Sequence, residues 1–283
     1  MHGSERRRPS GAAWGIVLLA VAVAVSLVAV PIASVFYFAF CQGFSPVIAT
    51  LSRSETHAAL GLSLLAAAVS VPFVAVFGLV AAWVVTRTEV RGRHALASFL
   101  DLPFAIPPVV CGLLIVLTLG PRSLVGSWLI FKGFPVVFAV PGVILATTLV
   151  SLAVVAKSLI PVLEALGPSE ELAARSLGAT PMQAFLRVTL PGLRLPLLHA
   201  TISAAARQLG EFGSVSVVSG RIRGETMTVP LLIEALYGEY DRTGAFVLAA
   251  LLSLMAIVTI VVKKWVEASF SLARTQQQSE VHP

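Results

Sequence analysis

Charge is what this sequence of 283 residues has least of. Asp, Glu, Lys and Arg make up 12% of it, roughly half of the about 25% usual in a soluble domain, while 57% is hydrophobic even without counting glycine. That scarcity excludes a soluble enzyme and a disordered chain. The net charge of +6 is spread over short segments between apolar runs and forms no basic face, so no nucleic-acid partner is expected. Cysteine is nearly absent as well. Cys41 and Cys111 each sit in an apolar run with no CxxC spacing, and both read as small buried residues.

Catalytic and nucleotide-binding motifs are missing too. The P-loop pattern GxxxxGK[ST] does not occur: only Lys157 precedes a Ser, and Ala156 stands where glycine is required. The chain therefore does not bind ATP by itself. There is no HExxH, and His2, His57, His94, His199 and His282 are scattered without metal-ligand spacing, so neither a metal nor a cofactor is expected. Ser219 and His199 are the only serine and histidine worth pairing, and along one helix they would stand about 30 Å apart. No catalytic residue is expected.

What the sequence has in abundance is uncharged length. The runs are Pro9 to Ser52, Thr56 to Thr86, Leu102 to Pro121, Gly133 to Ala156 and Thr243 to Val262. Each can supply the about 20 apolar residues of a membrane-spanning helix. A further run, Leu195 to Gly220, qualifies if Arg207 and Glu211 are tolerated inside it. Arg6, Arg7 and Arg8 before an apolar stretch resemble the start of a signal peptide, but the first run is far longer than the about 7–15 residues of a cleavable one. The expected chain is all-α and polytopic, with six spans. Its segments are a tail over 1–13, a first helix over 14–41, a five-helix domain over 56–262 and a tail over 263–283. Pro31, Pro72, Pro141 and the cluster Pro103, Pro107 and Pro108 predict bent, mutually packed helices.

With both termini inside, the cytoplasmic segments hold about twice as many Lys and Arg as the outer ones, which fixes the expected orientation. Trp14, Trp83, Trp128 and Trp265 fall at or near span ends and read as headgroup anchors only.

The polar residues concentrate in a long cytoplasmic segment over 157–195. Glu170 to Leu177 predict a short helix started by Pro168 and Ser169 and stopped by Gly178. Thr180 then caps a second helix, Met182 to Leu190, closed by Pro191. Such a helix-turn-helix is a compact knob that another protein can grip.

At these residues the chain resembles the permease subunits of ATP-binding cassette (ABC) importers. Their pattern is EAA, three residues, G, nine residues, then I-x-L-P. It stands here as Leu172, Ala173, Ala174, Gly178 and Val188-Thr189-Leu190-Pro191. All spacings match. Leu172 replaces the usual Glu, and Glu171 sits one residue earlier. In that family the loop is the coupling helix, docked in a groove of a separate ATPase, which gives Glu171, Leu172, Ala173, Ala174, Gly178, Val188, Leu190 and Pro191 as the expected ATPase-coupling residues.

Further segments carry the resemblance from about His57 to Glu267: DLPFAIPPVVCGL (Asp101 to Leu113), FAVPGVILATTLVSL (Phe138 to Leu152) and the stretch Leu209 to Asp241 that opens LGEFG. They are similar to the sulfate and thiosulfate importers, second permease subunit, CysW type. Molybdate and tungstate permeases share LGEFG and stand as the alternative. The resemblance implies the type I (MetI-like) fold and a bacterial inner-membrane location. It also implies a dimeric ATP-binding subunit, a second related permease and an extracytoplasmic sulfate-binding protein as partners, with membrane lipid around them. A gradient-driven secondary transporter is the competitor from another class, since it too would show broken helices and intramembrane charges. A purely structural scaffold would leave the proline-rich spans unexplained.

Two groups remain as expected path or structural residues. Arg207 and Glu211, four apart, would share one helix face and neutralise each other. Ser214, Ser216 and Ser219 would offer hydroxyls to an anion or bond back to the helix.

Overall fold

The computed structural model describes residues 11–89 and 91–281. The triplet Arg6 to Arg8 and the side chain of Trp14 lie outside the described residues. Every regular element among the described residues is helical. In chain order these are α1 (Gly11–Phe40), α2 (Phe44–Leu51), α3 (Ser54–Arg87), α4 (Arg93–Ala105), α5 (Pro108–Leu119), α6 (Leu124–Phe131) and α7 (Val140–Leu166). There follow α8 (Ser169–Ser176), α9 (Pro181–Ala184), a π-helical turn (Phe185–Thr189), α10 (Leu190–Leu209), α11 (Gly213–Val218), α12 (Val229–Gly238) and α13 (Arg242–Val281).

Among the described residues four helices, α1, α3, α7 and α13, are long and apolar enough to cross a membrane, and a fifth span is available if α4 and α5 count as one. That pair is bent by 108°. The cause is local: Ile106 (φ −88°, ψ 127°) and Pro107 (φ −57°, ψ 140°) each precede a proline, whose ring drives the preceding residue out of the helical region. The expected sixth span, Leu195 to Gly220, is instead divided between α10 and α11, interrupted at Gly210 to Phe212. Arg194, His199 and Arg207 make α10 too polar to stand with the other four.

The core is built on α3 against α7, where small residues let the backbones approach. A Cβ added to Gly78 would lie 2.6 Å from Val155 Cβ and 2.8 Å from the Ala156 nitrogen. Around this crossing one cluster joins Val74, Ala82, Val155, Leu159, Leu163, Leu193 and Ala204. A second, beyond it, joins Ala59, Ala66, Val143, Ala146, Val215, Leu231 and Leu248. The short helix α12 buries Val229, Leu231, Leu232 and Leu236, and Ser63 Oγ accepts its otherwise orphaned Val229 N–H at 3.0 Å. The first helix, α1, lies outside this core and touches it mainly along α13, where Phe38 stacks on Phe246 at 5.1 Å.

Some expectations need correction. Cys111 is buried, but Cys41, just past the end of α1, is exposed. The segment 157–195 is helical at both ends: α7 continues through Lys157, which pairs with Asp101 and lies 5.1 Å over the Phe104 ring, and α10 starts at Leu190. Trp128 and Trp265 are exposed, as anchors should be, whereas Trp83 is half-buried and does more than anchor.

Candidate functional site

Between α7 and α10 the chain forms the expected knob. Glu170 and Glu171 occupy the first turn of α8 and Arg175 its last, each sign where the helix dipole favours it. The helix closes as a Schellman turn: Gly178 takes φ 93°, its N–H bonds the Arg175 carbonyl at 3.0 Å, and Ala179 N–H bonds the Ala174 carbonyl at 3.1 Å. Thr180 then starts α9 with a reciprocal capping box. Its Oγ1 accepts from Gln183 N at 3.3 Å, and Gln183 Oε1 accepts from Thr180 N at 2.9 Å.

The second helix is not closed by Pro191. The chain stays helical from Pro181 to Leu209, because the π-helical turn directly before the proline widens the backbone where its ring would meet the Arg187 carbonyl. Val188 and Leu190 are half-buried in this stretch and Pro191 is exposed. Leu172 and Ala173 are exposed and Ala174 is half-buried. Leu177 (91% exposed), Met182 and Leu186 add to an apolar face on the knob that this chain leaves uncovered.

Sequence reasoning missed what holds the knob in place. Glu171 Oε1 accepts from Arg87 Nε at 2.9 Å, and Arg87 Nη2 donates to the carbonyls of Leu163 and Gly167, each at 2.7 Å. The two side chains are only 7% and 15% exposed. Glu171 is therefore committed inside the chain. Trp83 packs edge-on to Phe185 at 5.3 Å, fixing the π turn to α3. The only sequence signal was that Arg87 ends an uncharged run, which reads equally well as a topology marker.

The second group lies where two broken helices meet. A Cβ on Gly112 of α5 would lie 2.6 Å from the Ser214 carbonyl, and one on Gly213 would lie 3.0 Å from Pro108 Cβ. The helix ends at Leu209, so Arg207 and Glu211 do not share a face: Arg207 is exposed, Glu211 is 8% exposed, and no ion pair joins them among the described residues. Glu211 Oε1 instead accepts from both Ser214 N and Ser214 Oγ at 3.0 Å. Ser216 Oγ bonds back to the Gly213 carbonyl at 2.9 Å, and the buried Ser219 accepts from Arg221 N at 3.1 Å. All three serine hydroxyls have local partners. The residues that reach across helices here are others: Ser70 Oγ donates to Gln208 Oε1 at 2.9 Å and lies 3.5 Å from Thr147 Oγ1, joining α3, α7 and α10.

At the end far from the knob, ion pairs run from Asp241 through Arg53, Glu55 and Arg223 to Glu239, with Arg53 to Asp241 at 2.6 Å and Arg223 to Glu239 at 2.5 Å. Burial pushes the Asp241 carboxyl up, but the hydrogen bonds from Arg53 and the Gly244 N–H outweigh it and hold the group below its ordinary value. Glu239 raises Arg223 further. Among the described residues no three His, Cys, Asp or Glu side chains converge on a point.

The chain resembles known proteins over most of its length. Residues 75–271 match the family described as the binding-protein-dependent transport system inner membrane component. The sulfate transport system permease protein CysW of Synechocystis sp. is 45% identical over 252 residues, 89% of this chain and 91% of that one. The protein of the same description from Escherichia coli K12 is 40% identical over 95% of this chain and 92% of its own length. Among solved structures, a chain of a bacterial alginate ABC transporter, crystallised with an alginate pentasaccharide-bound periplasmic protein, matches with a TM-score of 0.72 at 18% identity, covering 89% of this chain and 91% of that chain. A multi-helix chain with paired broken helices and a knob of this spacing, so matched in sequence and fold, belongs to the binding-protein-dependent transport system inner membrane component family.

Proposed function

We propose that the chain is the membrane-spanning permease subunit of an ATP-driven importer that carries sulfate or thiosulfate into the cytoplasm. The observation that carries this reading is the knob: a Schellman-closed helix and a capped second helix at the EAA spacing, presenting an uncovered apolar face at Leu177, Met182 and Leu186. A separate dimeric ATPase grips that face and hydrolyses the ATP. The knob end is cytoplasmic, with both termini on that side. The opposite end, with Arg221 to Arg242, faces an external binding protein that delivers the anion. A second, related permease completes the path, and the exposed apolar length of α1 meets that partner or lipid.

The similarity to sulfate permeases supports the substrate class. Within the path, the exposed Arg207 offers a positive waypoint to a divalent anion. Glu211, Ser214, Ser216 and Ser219 act one step back, shaping the α10 to α11 break. The test is reconstitution of the complete complex in proteoliposomes with its binding protein. Radiolabelled sulfate should enter only with ATP. Uptake driven by an ion gradient without ATP would overturn the importer reading, and molybdate outcompeting sulfate at equal concentration would move the substrate to the molybdate and tungstate class.

A further inference from the structure

A guanidinium that is 7% exposed, at the end of a membrane helix, must have its donors satisfied by the protein. Arg87 does this by reaching three elements at once. Its backbone is the last turn of α3. Its Nη2 bonds the Leu163 carbonyl near the C-terminus of α7 and the Gly167 carbonyl at that helix's cap, two of the acceptors a helix end leaves orphaned. Its Nε bonds Glu171, in the first turn of α8. The planar fork holds these partners at fixed angles, which a flexible ammonium would not.

Resting on the coupling reading proposed above, we infer that Arg87 is the positioning residue that makes α8, the end of α7 and the end of α3 one mechanical body, so that displacement of the knob by the ATPase is carried directly into the α3 and α7 core. Without it α8 is tied to the end of α7 along the chain only through Gly167 and Pro168, and Gly167 at φ 66° gives that joint freedom to swivel. Glu171, adjacent to the position where the family carries Glu, serves as the inner half of this clamp and not as a contact to the ATPase.

The experiment uses the assembled complex in proteoliposomes with its binding protein, reading sulfate moved per ATP hydrolysed. A Leu177→Cys cross-link to the ATPase subunit is measured alongside to report docking. Arg87→Ala and Glu171→Ala should leave the cross-link yield unchanged and lower the transport ratio about tenfold, within the range that coupling between sites spans. Glu171→Gln, which keeps an acceptor for Nε, should recover most of the ratio lost in Glu171→Ala. An unchanged ratio in either alanine variant with the cross-link intact would overturn the clamp alone. No cross-link in the otherwise unmodified complex would overturn the coupling reading and the clamp with it. If Arg87→Ala fails to assemble, Glu171→Ala decides, since its backbone lies outside the packed helices.

Discussion

At Gly178 the backbone is left-handed, yet a Cβ built there meets no atom within 4 Å. The local demand is therefore on φ alone, about 1–2 kcal/mol for an ordinary side chain. Asn, which tolerates this region, should keep most of the uptake in Gly178→Asn. Gly178→Glu, which adds charge to the proposed docking face, should uncouple transport from ATP hydrolysis. Uptake and hydrolysis measured together in both variants check this. Glu211 is different, because its carboxylate serves a buried hydroxyl. Glu211→Ala leaves Ser214 Oγ without its acceptor and should cost about 1–3 kcal/mol, whereas Glu211→Gln retains an acceptor and should cost less. Combined with Arg207→Gln, either change should be additive within about 0.5 kcal/mol, because the two residues do not touch. A coupling energy above that in thermal unfolding of the solubilised complex would restore the ion pair that the sequence spacing suggested.

That suggestion failed for a reason belonging to elements. Residues four apart share a face only inside one helix, and Gly210 ends α10 between Arg207 and Glu211. Nothing local in the sequence distinguishes a glycine tolerated within an apolar run from one that ends a helix. By contrast, the α8 closure at Gly178 and the Thr180 cap were legible because their partners lie within a few residues. Arg87 and Glu171 were not, because 84 positions separate them and only the fold brings them together. The α3 to α7 crossing is equally non-local, and it carries its own expectation. Gly78→Ala places a Cβ against the fixed backbone of Ala156 and should destabilise by about 1–3 kcal/mol, read as a lowered unfolding midpoint. Gly61→Ala in the same helix, where a Cβ meets nothing, should leave the midpoint in place.

For the whole molecule, orientation and the ionic end can be tested together. In a background with the exposed Cys41 replaced by Ser, an impermeant thiol reagent added outside should label Ser127→Cys and spare Leu177→Cys. The reverse would invert the chain in the membrane. The Asp241 to Arg53 pair sets the acid limit. A carboxyl held below its ordinary 3.8 contributes stability that is fully present above that value and is lost as pH falls through the lower, folded one. The unfolding midpoint should thus be level from neutral pH down to about 4 and drop below it, and Asp241→Asn should lower the neutral plateau and flatten the drop.

The uninterrupted helical path from Pro181 to Leu209, kept whole by the π turn before Pro191, also has a length. At about 1.5 Å per residue it is a rod of roughly 40 Å, rooted in the knob and ending beside the Glu211 break. Turned by about 10° at its root, a rod of that length sweeps its far tip through roughly 7 Å. That arc exceeds the radius of a small tetrahedral anion, so a modest rotation at the knob suffices, by leverage alone, to change what fits at the break, where Gln208 meets Ser70 midway along α3.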